Sequence, residues 1–345
     1  KNILTLALFL FITPNLQAQP AAIPTFECLG LYYPSNDTNE CTVRYRPKKS
    51  KDWHQALSLV HDPRNNEHRG SIVGLTPNTE YEIQLTQNNK SETLKSRTLS
   101  DQFPISKTTH VTSLSSTLEI TESGTPKGYH LFTPTQNPTT LDVGNQADHN
   151  ITIDADYIII RGLELKNAAI HGIRIAKGRH HIIIEDCRIT FWGRVGGPRT
   201  FGNEGGYDSA ISASRGAGHL VIQRNRIEDP RGGSNDWDTG HPSGPQAISL
   251  SNSSGNNIIR YNEIVTTDDH GFNDAIGGGS NYSFEGSPNR DSDIYGNLIA
   301  GVWDDAIESE GANMNVRIWG NHIERTFQHI ATACTSKGPL YIFRN

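Results

Sequence analysis

From residue 158 onward the chain alternates short apolar strings with polar punctuation, and one string keeps returning. It begins as Ile159-Ile-Arg-Gly-Leu-Glu-Leu165 and recurs at 183–189, 221–227, 258–264, 293–299, 316–323 and 341–345. The residue two before the last apolar position serves as an anchor: Leu163, Cys187, Asn225, Asn262, Asn297, Asn321 and Asn345, at spacings of 24, 38, 37, 35, 24 and 24. Ten residues past the anchor of each bare coil comes a second small apolar strand, at Ile173, Ile307 and Ala331. Once their additions are removed, the longer coils match at Ile211, Ile248 and Ile276. Short strands at a fixed period, with no helical spacing between them, predict a parallel β-solenoid of stacked coils. Coils repeat at roughly 4.8 Å, the distance between paired strands. Asn at five of seven anchors predicts a ladder of side-chain amides, each bonding the coil above and below.

The insertions fall at one corner. Coils two and three gain 14 and 13 residues between the anchor strand and the second strand, and coil four gains four there and seven more after its second strand. Stacked in register, these loops wall a common strand face, and a channel walled by loops is where function is expected. Upstream, 25–99 reads as short strands separated by turns, the pattern of a β-sandwich. A polar stretch at 100–111 reads as a linker, and 115–156 as the irregular first coils that close the solenoid.

The region 112–345 resembles the right-handed parallel β-helix proteins of the pectate-lyase-like superfamily, built from short tandem PbH1 repeats. That resemblance implies an all-β fold and a secreted protein that cleaves or modifies polysaccharide, with adhesins and tailspikes as the binding minority. Thr42-Val-Arg-Tyr-Arg46, Trp53 and Gly74-Leu-Thr-Pro-Asn-Thr-Glu-Tyr81 resemble a fibronectin type III domain over 22–99. This second resemblance implies that Trp53 and Tyr81 are core, and that the module spaces or binds.

A net charge of −6 over 345 residues argues against general nucleic-acid binding and leaves room for a local basic patch that would meet an anionic glycan. The basic start, the apolar run from Ile3 to Ile12 and the small residue before Gln19-Pro20 describe a signal peptide over 1–20, hence secretion or display at the cell surface with no membrane span afterwards. Stopping at Asn345 in mid-coil predicts further coils beyond it. Of four cysteines, Cys28 and Cys41 can pair in an oxidising compartment. Cys187 and Cys334 read as buried small hydrophobes. The spacing of cysteines and histidines excludes a zinc motif of the usual kind.

Stacking the template brings chemistry together. Two before each matched position come His171, Ser209, Gln246, Asp274, Asp305 and His329; one before come mostly small residues, Gly172, Ala210, Ala247, Ala275, Ala306 and Ile330, a floor on which an extended chain can lie; one after come Arg174, Ser212, Ser249, Gly277, Glu308 and Thr332. Asp274 and Asp305 fall on adjacent coils, roughly 5 Å apart, and carboxylates that close raise one another's pKa. With Glu308 they are the candidate catalytic acids, suited to glycoside hydrolysis by a carboxylic acid and a carboxylate. An alternative is a calcium-dependent lyase, with Ca²⁺ held by Asp268, Asp269 and Asp304 and a base drawn from Arg174, His329, His270 or Lys337. A third reading is a glycan binder that does not cut. Candidate substrate contacts are Arg174, Trp237, His270, Trp303, Glu310 and His329. Of the loop aromatics, Trp237 is the sugar-stacking candidate, and Phe201 and Phe272 read as anchors of the long loops. Asp208 and Asp274 also fit plain turn chemistry before Ala-Ile.

Overall fold

The computed structural model describes residues 19–195 and 207–345. The signal-like start and Phe201 lie outside the described residues, as does most of the second-coil insertion. Among the described residues no helix is long and apolar enough to cross a membrane. The chain is all-β, and its larger part is a stack of parallel strands.

Three rows of strands run along the stack. The first comprises Ile158–Arg161, His180–Glu185, Gly218–Gln223, Ile258–Arg260, Asp293–Tyr295, Val316–Trp319 and Leu340–Phe343, each parallel to the next. The second holds Glu164–Lys166, Arg188–Thr190, Arg226–Glu228 and Glu263–Val265, and the third His171–Ile175, Ser209–Ala213, Gln246–Ser249 and Ile276–Gly277. The long strand Leu298–Glu308 serves both the second and third rows, and His322–Ala331 repeats it one coil on. Inward isoleucines from all three rows form one core. Alternation along each strand buries one face, and stacking lets each coil bury the apolar edge of its neighbour.

The anchor ladder is present. Asn225 donates its amide to Asn262 Oδ1 at 3.0 Å, Asn262 to Asn297 at 2.9 Å, Asn297 to Asn321 at 2.9 Å and Asn321 to Asn345 at 2.8 Å. Each Oδ1 also accepts the backbone N–H of the preceding anchor, beginning with Cys187. Upstream, His149–Ile153 and Leu118–Ile120 extend the third row, and Tyr129–Pro134 extends the first. The segment read as a linker contributes Ile105–Val111, which pairs with Tyr129–Pro134 as the outermost strand of that row.

Residues 21–97 form two antiparallel four-stranded sheets around a core that includes Leu31, Val43, Tyr81 and Ile83. The Tyr81 hydroxyl accepts the Thr76 N–H at 2.9 Å. Trp53 is not core: it is partly exposed, with the guanidinium groups of Arg44 and Arg46 over its ring at 4.7 and 4.5 Å. Cys28 and Cys41 are not bridged, and all four cysteines are free thiols. The sheets dock on the solenoid's first row. Tyr32 donates to Asp291 at 2.8 Å, Arg260 covers the Phe26 ring at 4.3 Å, and the fully buried pair Arg317–Asp293 lies beneath, with Arg317 also reaching Thr25 Oγ1.

Candidate functional site

The insertions of coil three and of the first corner of coil four leave the stack between the second and third rows, as the spacing requires, and each carries a single 3-10 turn, Trp237–Thr239 and Asp268–His270. They wall the third row on one side. Along that row Arg174 pairs with Ser212, Ser212 with Ser249 and Ser249 with Gly277, and Glu308 follows one rung later because Ile276 pairs with Ile307. The floor is this row, small in its middle. The other row of small residues does not face the channel: Ala210, Ala247, Ala275 and Ala306 all belong to the core.

Asp274 and Asp305 occupy neighbouring rungs, and the Asp305 N–H donates to Asp274 Oδ1 at 3.3 Å. Asp304 joins them, so that one oxygen from each of the three lies within 4.8 Å of the others. Strict alternation would send Asp304 to the opposite face. A bulge between Val302 and Asp305 inserts an extra residue into this strand, and such a bulge re-aims side chains. The same bulge corrects the last coil. Ile330, not Ala331, lies opposite Ile307, and Gln328 lies opposite Asp305, so His329 falls outside the row and is exposed.

The carboxylates are held from below and from the sides. Asp274 is buried and accepts from Gln246 Nε2 at 2.8 Å and Asn273 Nδ2 at 2.6 Å. Glu308 accepts the Gly278 N–H at 3.1 Å and the Asn281 amide at 2.8 Å. Asp304 accepts the Trp237 indole N–H at 3.2 Å and has His241 Nε2 at 3.9 Å. Asp305 has no hydrogen-bonded side-chain partner among the described residues, which leaves its carboxyl free to face the channel.

Burial is the largest influence on the charge state of all four, and it favours the neutral forms. It pushes Asp305 up to about 7, helped by the charges of Asp304, Glu308 and Glu310. Asp274 is pushed well above the carboxylate range by burial and then by Glu308, Asp304 and Asp305. Glu308 and Asp304 are also raised by burial, with donors to each pulling back. Tyr207, one of the aromatics beside the inserted corners, is raised to about 12 by burial and by Asp274, Glu308 and Asp304. Groups so close titrate as a set, and the set retains protons at neutral pH.

Other candidates are placed differently. Asp268 and Asp269 are exposed on the corner turn, where Asp268 pairs with Arg325, and the acids that gather are Asp274, Asp304 and Asp305 instead. His270 ends that same turn. Trp303 lies against Gly271, where it leaves no room for a Cβ. Glu310 is buried and accepts the Ala333 N–H at 2.9 Å, next to the two-stranded clasp of Gly286–Ser287 with Glu310–Gly311. Asp208 is fully buried and clamps Arg194 through contacts of 2.7 to 2.9 Å. Trp192 and Phe272 stack in the core at 6.1 Å. Trp237 packs against Phe327 at 5.4 Å, a partner the sequence did not suggest, beside Asp304.

These features define an all-β protein whose stacked parallel solenoid carries an acidic channel. No family model and no curated protein matches the chain. Among solved structures it is similar to the catalytic unit of a thermostable GH87 alpha-1,3-glucanase from Streptomyces thermodiastaticus. The identity is 10%, the TM-score 0.31, and the match covers 94% of this chain and 87% of that one.

Proposed function

We propose that the protein is a secreted carbohydrate-active enzyme, a right-handed parallel β-helix preceded by a fibronectin type III-like module, that hydrolyses an extracellular polysaccharide. The observation that carries this reading is the convergence of Asp274, Asp304 and Asp305 within 4.8 Å beside the channel floor. Asp305, protonated up to about pH 7 and with a carboxyl that makes no hydrogen bond among the described residues, gives its proton to the leaving glycosidic oxygen. Asp304, raised by burial but drawn back towards its carboxylate by His241 and by the Trp237 N–H, activates the attacking water. Asp274 holds the Asp305 main chain in place, and burial with the charges of Asp304, Glu308 and Glu310 discourages ionisation of the donor. The aromatic pair Trp237 and Phe327, with exposures of 41% and 63%, offers flat apolar faces for sugar rings at the rim.

A second reading, the calcium-dependent lyase, is favoured by the same approach of three carboxylate oxygens. It fits less well. Both oxygens of Asp274 already accept N–H groups, and the proposed bases are dispersed, with His329 exposed and Lys337 over the Phe284 ring at 5.6 Å. Incubating the protein with neutral and uronate polysaccharides, with Ca²⁺ or with chelator, separates the readings. New reducing ends without ultraviolet absorbance mean hydrolysis. Both signals, abolished by chelator, mean elimination, and neither across the panel means a binder.

A further inference from the structure

The acidic cluster lies toward one end of the third row, and several rungs upstream the row is basic. A cavity of about 540 Å³ opens there, lined by His149, His171, Arg174, Lys177, Arg194 and Arg215 together with serines of the next two rungs. Two of these cations are neutralised within the protein, Arg194 by Asp208 and Arg215 by Glu285. Arg174 and Lys177 have no acidic partner among the described residues. His171 Nδ1 accepts the Ser209 N–H at 3.0 Å, so its remaining proton is on Nε2 as a donor. Burial first, then His149 and Arg174, hold this imidazole neutral down to about pH 3. The basin therefore offers two uncompensated cations and a neutral donor around a space large enough for a sugar unit.

The same row connects the basin to the acids. From Arg174 through Ser212, Ser249 and Gly277 to Glu308 is four rungs, roughly 19 Å at the spacing of paired strands. No large side chain interrupts it, and neither serine hydroxyl is hydrogen-bonded among the described residues. We propose that the basin is an anion subsite of this channel, holding a carboxylate or sulfate ester carried by a sugar a few units from the bond that is cut, so that the substrate is an acidic polysaccharide. This rests on the reading of the channel as a polysaccharide site. A guanidinium takes a carboxylate or a sulfate by paired N–H donors, and a partly buried pair is stronger than an exposed one.

The test uses the full chain carrying D305N, so that bound polymer is not cut, and titrates polygalacturonate, dextran sulfate and uncharged dextran by calorimetry. The expected result is binding of one anionic polymer at least about tenfold tighter than dextran, lost by about tenfold or more on adding R174Q/K177Q, with the unfolding temperature unmoved. Preference for polygalacturonate assigns a carboxylate, and preference for dextran sulfate a sulfate ester. Equal binding of dextran, or anionic binding unaltered by R174Q/K177Q, overturns the subsite. The two proposals fail separately. Asp305-dependent cleavage of an uncharged polysaccharide that ignores R174Q/K177Q removes the anion subsite alone. Anion binding that needs Arg174 and Lys177, in a protein whose cleavage survives D305N, removes the hydrolase reading alone.

Discussion

The backbone N–H of Asp305 donates to Oδ1 of Asp274 at 3.3 Å, so the carboxylate of one rung is fastened to the main chain of the next. This bond leaves the Asp305 side chain unengaged and keeps it beside Asp274 and Asp304. The arrangement concentrates three acids beside the channel floor. It predicts that D305N lowers turnover by about a thousandfold, the contribution of a positioned proton donor. Because Asn is nearly isosteric with the protonated acid and the Asp305 carboxyl bonds no other side chain, circular dichroism and the unfolding midpoint at pH 5 should be kept. Activity above a tenth of the original would remove Asp305 as the donor.

The pH dependence follows from the same group. Its pKa is 3.8 for a free side chain and about 7 in the fold, so between those values the folded protein binds a proton that the unfolded chain has released. Stability from this group is therefore fully present below about pH 4 and is lost as pH rises through about 7. Turnover should show a basic limb near pH 7, since the donor must be protonated. In D305N the fall in unfolding temperature between pH 5 and pH 8 should shrink. An unchanged slope would place the titration elsewhere in the cluster.

Much of this geometry is legible in the letters, and the reason is periodicity. Isoleucines at a fixed distance from each anchor must share a core, and a core that stacks in register brings Asp274 beside Asp305 whatever the loops do. The amide ladder is legible for the same reason. Asp304 is not, because its place depends on a bulge that breaks alternation at one point, set by how two neighbouring coils fit. The same bulge moves Gln328 into the row and His329 out of it. Trp53 misleads for another reason: an aromatic that matches a core pattern can instead be covered by two arginines. Phe327 joins the site from the strand His322–Ala331 and Tyr207 from just before Ser209–Ala213, and no spacing rule encodes their meeting with Trp237 and the acids.

Gly277 is the floor residue closest to the acids. A Cβ there would lie 3.0 Å from Glu308 Oε2 and 3.2 Å from both Asp274 Cβ and Gln246 Nε2, tight enough to displace the carboxylates by tenths of an ångström. Small misplacements of catalytic groups cost disproportionately. G277A should lower kcat by about tenfold or more while the protein still folds. A kcat within twofold of the original would show that the cluster tolerates a raised floor.

The thiols give an independent check on the N-terminal sheets. Cys28 is fully buried against Arg317 and Asp293, and Cys41 lies in the other core, so neither is bonded. Alkylation of the denatured, unreduced protein should add four groups, and reductant should leave the unfolding temperature unchanged. A mass short by two additions, recovered on reduction, would mean that a bridge exists.

The solenoid's cohesion rests on the anchors as well as on its isoleucines, and Asn262 tests that directly. Its Oδ1 accepts both the amide and the backbone N–H of Asn225, and its Nδ2 donates to Asn297 and to the Ile222 carbonyl at 2.9 Å each. Asn262 is buried, so removing the amide leaves several polar groups with neither partner nor water, at about 1–3 kcal/mol for each one left unsatisfied. Asn262→Ala should therefore destabilise by about 3 kcal/mol or more, measured as a lowered urea midpoint with little change in slope. Asn262→Asp is the sharper variant. It keeps the acceptor and loses the donor, and it adds a buried charge facing Asn297 Oδ1, so it should cost at least as much at neutral pH and recover partly on acidification. If Asn262→Ala is neutral, the coils are held by apolar stacking alone and the ladder follows from the fold rather than supporting it.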